Sequence, residues 1–469
     1  MLRTLAVAAG TCWSVLFVVL GLHYQLQMYG DGSIFSYSIA VEDAWVFHWH
    51  NIIGRVFVFV FAYVPAELYL EITGRVREAI DLYGLLFFVA PLLGLVATFA
   101  VDRSKGRIIF AYACLSTACL CPLVFGFPSE IWIAHSLFWP TLAVCHYARP
   151  GIGATALVFA VLLALVFTHE GALIFAVAIV ATLLLHRGQH ASFLRGAAAL
   201  LLVIAIWVIA HATFPPDDYI ADVLRRAAWH VFDPSIVTGD VVLLLAAALA
   251  SYAAAFLLLR RLAPAKADIY ASAIVVVMLS AYWMWFDHAL HAENRYYLRT
   301  VVLVATPILG VLAVVRALAA EERLQLPVAS RLMELFTSDV AVRAVTGAVL
   351  VVLIVHAVET AKFIRTWTDY TSAVRALATG TASDPALGDP RFVSSERINP
   401  ALNRLAWSST THFLSVLVAP ELAPRRLVVD PNAGYFWLSC ETATTSREAD
   451  SAVPVATREL IRVHACQHR

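Results

Sequence analysis

The sequence predicts a mainly α-helical membrane protein: a polytopic bundle of about 11 spanning helices, followed by a small α/β domain outside the membrane. Apolar residues make up 61% of the 469 residues and charged residues only 14%, with a mean hydropathy of +0.77. A soluble domain is about 45–50% apolar. Long apolar runs recur as far as residue 358, and shorter mixed segments follow. We therefore divide the chain into a membrane domain, 1–362, and a soluble domain, 363–469.

Each candidate span is a run of roughly 20 mostly apolar residues, the length that crosses a bilayer. The runs are 5–26, 52–73, 82–101, 108–126, 130–147, 152–168, 171–186, 197–212, 240–259, 269–286, 298–316 and 341–358. The first run lacks a small-residue cleavage site and is predicted to be an uncleaved helix. The run 52–73 contains Arg55, Pro65, Glu67 and Glu71, and each ion at a bilayer centre costs ~2.5–3.5 kcal/mol. We expect it to re-enter, to lie along the interface or to break at Pro65, although between about 11 and 13 spans fit the pattern.

Lysine and arginine are concentrated in alternate connections, which predicts the orientation of the chain. The basic connections contain Arg3, then Arg103, Lys105 and Arg107, then Arg149, Arg187, Arg195, Arg260, Arg261, Lys266, Arg316, Arg323, Arg331 and Arg343. Such connections stay cytoplasmic. The N-terminus is then cytoplasmic, and the outer side receives a large first loop of about 27–80 and the C-terminal domain. We expect the bacterial inner membrane, with this domain in the periplasm.

The C-terminal domain is predicted from short segments bounded by proline, aspartate and glycine. A surface helix near 366–380 and a short helix near 399–407 precede three predicted strands at 412–420, 425–431 and 434–440. Cys440 and Cys466 are the only cysteines in this domain. In an oxidising periplasm they are candidates for a disulfide, and two free thiols are the alternative.

Ionisable residues gather first between Gly30 and Arg55, where the adjacent acids Glu42 and Asp43 precede His48 and His50. A carboxylate in a partly dry pocket is suited to act as a general base, so we predict a catalytic Asp43 supported by Glu42. A solvated acidic pair on an interfacial helix is the alternative. Further predicted substrate-binding residues flank apolar runs, where charge is costly to keep. They are His48, His50, Arg55, Glu130, His169, Glu170, Asp287, His288 and His291.

Arg295 and Arg299 are four residues apart, which places them on one face of a helix beside Tyr296. Guanidinium groups bind phosphate in bidentate fashion, so this face is predicted to hold a membrane-embedded phosphate. An interfacial belt of tyrosine and arginine is the alternative. The histidines match no metal motif, so no metal or other cofactor is predicted, and a divalent cation is left open. No nucleotide-binding, serine-hydrolase or zinc-protease motif occurs, and the zero net charge gives no reason to expect nucleic acid.

This combination resembles the GT-C class of integral membrane glycosyltransferases. The likeness rests on Glu42-Asp43 in the first outer loop, Pro128-Ser129-Glu130 at a helix entry, His169-Glu170, and Arg295-Tyr296 before a late helix. It covers about residues 1–370 as architecture. The resemblance implies a polyprenyl-phosphate-linked sugar donor, with Asp43 activating the acceptor hydroxyl and Arg295 and Arg299 holding the donor phosphate. The acceptor, a glycan, lipid or protein, is left open.

Three other classes of protein remain as alternatives. A transporter or flippase for a lipid-linked or amphipathic solute requires polar residues along a path through the membrane. A non-enzymatic scaffold would tolerate the loss of Asp43 and Arg295. A membrane hydrolase that uses a metal would require the histidines as ligands.

Overall fold

The computed structural model describes residues 2–120, 129–148, 151–188, 190–218, 220–222, 225–226, 240–264, 266–285, 295–325, 339–381, 387, 389–403, 405–407, 409–431, 440 and 451–467. The described chain is mainly helical. Its helices are α1 Leu2–His23, α2 Asp31–Ala40, α3 Val64–Thr73, α4 Val76–Val101, α5 Ile108–Leu120, α6 Glu130–Tyr147, α7 Ile152–Val166, α8 Ala172–Thr182, α9 His190–Thr213, α10 Asp240–Leu262, α11 Ala267–Trp285, α12 Arg295–Ala320, α13 Asp339–Thr379, α14 Pro400–Asn403, α15 Thr411–Val418 and α16 Val455–Gln467. Two short strands, β1 Phe392–Ser394 and β2 Leu427–Val429, pair in parallel.

Five helical stretches in the described part are long and apolar enough to cross a membrane. They are Arg3–His23, Ile53–Thr73, Val76–Val101, His190–Thr213 and Val302–Ala320. Large apolar side chains project outward from several helices, among them Leu201, Ile209 and Val277. Exposed apolar surface on this scale is what lipid contact requires of a membrane protein.

Glycines at helix crossings allow the bundle to pack closely. A Cβ atom added to Gly10 would lie 2.5 Å from the carbonyl oxygen of Cys114, and one added to Gly94 would lie 2.5 Å from that of Ser136. Small residues of this kind let membrane helices approach backbone to backbone. These contacts hold α1 against α5 and α4 against α6.

Connections rich in arginine and lysine meet at one end of the bundle, which we call the basic end. The guanidinium of Arg3 lies beside Gly106. Lys105 N–H donates to Glu321 Oε1 (3.0 Å), and Arg187 N–H donates to the carbonyl oxygen of Arg323 (2.8 Å). The grouping follows the predicted alternation of basic connections.

The opposite end, which we call the acidic end, contains Asp43, Arg55, Glu130, Glu170 and Asp217. The stretch Ile53–Thr73 begins there, because the side chain of Arg55 contacts Glu130 and Glu170. Its last turn leads directly into Val76, where α4 starts and runs towards the basic end at Val101. Both termini of this stretch therefore lie near the acidic end.

Ile53–Thr73 is also irregular in its backbone. A 3-10 turn, Ile53–Arg55, is followed by one α-helical turn, Val56–Val58, and by a π-helical turn, Phe59–Tyr63, before α3 begins. Pro65 occupies the first turn of α3, where its missing N–H has no helical partner to lose. The interruptions precede Pro65, so the predicted break at Pro65 is not where the helix is interrupted.

The residues after 390 pack on the acidic end through α15. The predicted strand at 412–420 is wrong, because Thr411–Val418 forms the helix α15. All eight residues of α15 are buried, and a short, mostly apolar run that is buried on all sides does not distinguish a helix from a strand. The predicted strand at 425–431 corresponds to β2, while 434–439 lies outside the described residues. The predicted span 341–358 and surface helix 366–380 form one helix of 41 residues, α13.

Candidate functional site

Arg55 is the centre of a buried ionic cluster at the acidic end. Its Nη1 forms an ion pair with Glu130 Oε2 at 3.2 Å, and its Nη2 donates to Glu170 Oε2 at 3.2 Å. Nε lies 3.3 Å from each oxygen of Glu170. Glu130 begins α6 and Glu170 precedes α8, so three predicted site residues from distant parts of the chain meet here. The guanidinium lies 5.2 Å from the ring centroid of Phe47, which adds a cation–π contact.

The charge of Arg55 keeps Glu170 ionised. Burial alone raises the pKa of the Glu170 carboxyl, but the charge of Arg55, with a smaller contribution from His169 and the hydrogen bond from Arg55, lowers the pKa from 4.5 to about 2. Glu170 is therefore ionised at neutral pH, and the Arg55–Glu170 pair is a permanent ion pair in the folded state.

The end of α2 brings Asp43 to the site. Glu42 N–H donates to the carbonyl oxygen of Ile39 (3.0 Å), and Asp43 N–H donates to that of Ser38 (2.8 Å). This pair of bonds is the Schellman arrangement, in which the residue after the helix adopts a left-handed conformation. Glu42 is that residue, with φ = 56°, where glycine is the usual choice. The strained turn directs the chain from α2 to the next 3-10 turn, Val46–His50.

Both carboxylate oxygens of Asp43 accept hydrogen bonds from the turn that follows it. Oδ1 is 2.7 Å from His48 Nε2, and Oδ2 accepts from Trp49 Nε1 at 2.9 Å. The side chain of His48 is 47% exposed, whereas that of Asp43 is 19% exposed. The predicted base thus lies behind a histidine that faces outward.

Two further histidines connect the segment between α2 and α3 to α9 and to the residues after α9. His50 Nδ1 is hydrogen-bonded to a carboxylate oxygen of Asp217, and Asp217 N–H lies 3.4 Å from the carbonyl oxygen of His50. The ring of His211 and the carboxylate of Glu170 both lie beside Gly54. Gly54 is buried, and a Cβ atom there would lie 3.2 Å from the His211 ring, so a larger residue would push these groups apart.

His169 turns its ring towards the start of α8. Gly171 N–H donates to His169 Nδ1 at 2.9 Å, and the same nitrogen lies 3.9 Å from Glu170 Oε2. Because Nδ1 accepts this hydrogen bond, the proton of a neutral His169 ring is carried by Nε2.

Several predicted site residues fall outside this description. Asp287, His288 and His291 lie outside the described residues. Arg295, Tyr296 and Arg299 belong to the first turns of α12, whose side chains there are not described. Further along α12, a side-chain carbon of Leu303 lies beside Gly171, so this part of the helix is near the acidic end. The candidate cysteines, Cys440 and Cys466, form a disulfide.

Sequence reasoning missed three residues of the cluster. Asp31 opens α2 and interacts electrostatically with Arg55, Tyr63 and Tyr83. The two tyrosines are fully buried, with ring centroids 5.5 Å apart. An acid directly after a glycine, at the start of a helix that follows a membrane span, was the available signal for Asp31. The tyrosines lie in apolar runs, where nothing in the sequence distinguishes them from core residues.

No set of three or more histidine, cysteine, aspartate or glutamate side chains converges as metal ligands among the residues that the structure describes. Comparisons with protein-family models, with curated proteins and with solved structures find no match to this chain.

Proposed function

We propose that the protein is a membrane glycosyltransferase of the GT-C kind, which moves a sugar from a polyprenyl-phosphate-linked donor to an extracytoplasmic acceptor. One observation carries the proposal: ionisable residues from four distant stretches meet at one end of a membrane bundle. Asp43, His48 and Arg55 belong to the first stretch, and Glu130, Glu170 and Asp217 each belong to one of the other three. Buried charge of this density is costly, and it is typical of sites where proton transfer occurs.

In this proposal His48 and Asp43 act as a pair. Because Asp43 accepts from His48 Nε2, the other ring nitrogen, Nδ1, is unprotonated and is the atom that takes the proton of the acceptor hydroxyl. The hydroxyl oxygen then bonds to the anomeric carbon of the sugar while the bond from that carbon to the phosphate oxygen breaks. Polyprenyl phosphate leaves with the electron pair, and Asp43 stabilises the imidazolium. The role that the sequence predicts for Asp43 is thus shared with His48.

The donor phosphate is assigned to Arg295 and Arg299, with Tyr296 beside them. Arg55 is the less suitable ligand, since its guanidinium is already engaged by Glu130 and Glu170 and a second anion would meet two carboxylates. A cation at the leaving phosphate stabilises the negative charge that develops there. The bundle in this proposal lies in a bacterial inner membrane with about 11 spans, the acidic end and an α/β C-terminal domain facing the periplasm.

The test uses the full chain, purified in lipid nanodiscs, with polyprenyl-phosphate-linked hexose and pentose donors. Release of polyprenyl phosphate in the presence of periplasmic glycan or lipid acceptors measures transfer. His48→Gln and Asp43→Asn are each expected to lower kcat by roughly 10²–10⁴-fold. His23→Gln, which changes an exposed histidine, serves as the control and is expected to retain activity.

Two results would overturn the proposal. If no donor is cleaved by the wild-type protein while labelled donor crosses the bilayer of proteoliposomes, the transporter alternative replaces the transferase. If the donor is cleaved equally by the wild type, His48→Gln and Asp43→Asn, the pair is not the base.

A further inference from the structure

The cluster around Arg55 has more negative than positive charge. Arg55 contributes +1, and Glu130, Glu170 and Asp31 contribute −1 each, which gives a formal charge of −2. This count treats the nearby imidazoles as neutral, and Nδ1 of one of them, His169, accepts from Gly171 N–H. The other, His211, donates through Nδ1 to the carbonyl oxygen of Trp207 (2.9 Å). A buried site with unbalanced negative charge is costly unless a cation balances it.

Three polar atoms in the same region are buried without a hydrogen-bond partner. They are the hydroxyl oxygens of Tyr63 and Tyr83 and the Oε1 atom of Glu130. Both tyrosine hydroxyls interact electrostatically with Glu130 and Asp31, so the orphaned atoms belong to the cluster. Nearly all buried polar atoms in proteins are hydrogen-bonded, and an exception is a position at which a bound group can supply the partner.

Aromatic rings pack against the two tyrosines. The ring centroid of Phe35 lies 5.3 Å from that of Phe47, 5.4 Å from that of Tyr63 and 6.4 Å from that of Tyr83. Aromatic faces attract cations as well as apolar groups. The site therefore combines one carboxylate oxygen without a hydrogen-bond partner, two tyrosine hydroxyls and electron-rich rings.

We propose that this site binds a primary ammonium group carried by a substrate. An ammonium group has three N–H donors, and Glu130 Oε1, Tyr63 Oη and Tyr83 Oη are three acceptors without partners. Its charge offsets the negative excess of the cluster. A phosphate would be repelled by that excess, and no set of three metal-ligating side chains is found in the described part of the chain. An amino sugar or another amine is thus favoured over an anion or a metal ion.

The inference deepens the proposed glycosyltransferase, because it names a chemical group on the molecule that is transferred or that accepts the sugar. Binding is measured without turnover. If an amine binds but no sugar is transferred, the proposed amine site is supported and the proposed transferase function is contradicted. If sugar is transferred but no amine binds, the transferase function is supported and the amine site is contradicted.

The experiment compares glucosamine with glucose, which differs at the amine position by a hydroxyl, on the purified full chain in nanodiscs at mildly acidic pH. Saturation-transfer NMR gives the dissociation constants, and ligand-induced shifts of the unfolding temperature provide a second readout. Glucosamine is expected to bind at least about tenfold more tightly than glucose, and Glu130→Gln to abolish most of that difference. Tyr63→Phe and Tyr83→Phe are each expected to weaken glucosamine binding by about 2–10-fold.

The stability of each variant without ligand shows whether the substituted residue has a binding role or a structural role. Glu130→Gln removes a partner of Arg55 and can unfold the protein, whereas each Tyr→Phe change removes only an orphaned hydroxyl. The phenylalanine variants are therefore expected to be as stable as the wild type, or more so, without ligand. Tyr69→Phe is the matched control, because the hydroxyl of Tyr69 already donates to Glu78 outside the cluster.

Any of three outcomes would overturn the inference. The first is equal binding of glucose and glucosamine. The second is the absence of glucosamine binding up to its solubility limit. The third is stabilisation by sodium or potassium chloride that Tyr63→Phe and Tyr83→Phe remove, with no response to glucosamine, which would make the site one for an alkali-metal ion.

Discussion

Arg55 shows how much of the acidic end depends on a single side chain. Its guanidinium joins Glu130 and Glu170, which begin α6 and precede α8, to the segment between α2 and α3. A buried carboxylate that loses its cation leaves an uncompensated charge, which destabilises a protein by about 3–5 kcal/mol. Arg55 therefore fixes the relative positions of these three segments at the acidic end.

Stability at low pH provides a test of the Arg55–Glu170 pair. The pKa of Glu170 is lowered from 4.5 to about 2 in the folded protein, so ionised Glu170 favours folding above pH 4.5. This contribution, of order 3 kcal/mol, is lost as the pH falls from 4.5 to 2, because the unfolded chain takes up the proton first. The difference in unfolding temperature between the wild type and Glu170→Gln is expected to shrink over that range.

Glu71→Gln, which changes an exposed carboxylate on α3, is the control. Its unfolding temperature is expected to follow that of the wild type at every pH. A gap between the wild type and Glu170→Gln that stays constant from pH 4.5 to 2 would show that Glu170 is not held ionised by Arg55.

The left-handed conformation of Glu42 at the end of α2 leads to a prediction about the stability of this turn. Glu42 has φ = 56°, and an L-residue in this conformation costs roughly 1–2 kcal/mol relative to glycine. Glu42→Gly is expected to stabilise the protein by about 1 kcal/mol if the role of Glu42 is only to form the turn. Glu42→Gln keeps the strain and removes the charge.

Thermal unfolding and the transfer assay, each applied to both variants, separate the role of the turn conformation of Glu42 from the role of its carboxylate. Loss of activity in both variants, with stability gained only in Glu42→Gly, would show that strain is retained because the carboxylate is needed. A glycine variant less stable than the glutamine variant would contradict the turn assignment.

Sequence patterns predicted elements better than contacts between them. Apolar runs of membrane length predict α1, α4 and α9, because hydrophobic length is a local property. The pairing of Arg55 with Glu170 joins residues 115 positions apart and depends on how helices pack, which no local pattern contains. The helix α15 was predicted as a strand for a related reason, since burial on all sides removes the periodicity that distinguishes the two.

At the scale of the whole molecule, the disulfide closes the C-terminal part of the chain. Cys440 and Cys466 are 26 residues apart, and closing a loop of this size contributes roughly 3 kcal/mol in the chain-entropy model. Replacing both cysteines by serine is expected to make α16 susceptible to limited proteolysis while the membrane helices stay protected. Cys12→Ser, at an exposed free cysteine, is the control. Unchanged protease resistance in the double variant would contradict a stabilising role.

The two ends of the bundle predict an orientation. Lys105 lies at the basic end, and the exposed Asp218 follows Asp217 at the acidic end. In a background without the free cysteines, an impermeant maleimide added to right-side-out vesicles is expected to label Asp218→Cys but not Lys105→Cys, with the reverse in inverted vesicles. Labelling of both positions from one side would show that they do not lie on opposite faces.

The central claim is that a base and a phosphate-binding arginine face one cavity at the acidic end. An experimental structure of the protein in lipid with polyprenyl phosphate bound tests it most directly, through the distance from His48 Nδ1 to the guanidinium of Arg295. We predict both groups on the same cavity and within ~10 Å, which leaves room for one sugar between base and phosphate. A phosphate bound at the basic end, or an Arg295 guanidinium turned away from His48 and Asp43, would contradict the proposed glycosyltransferase.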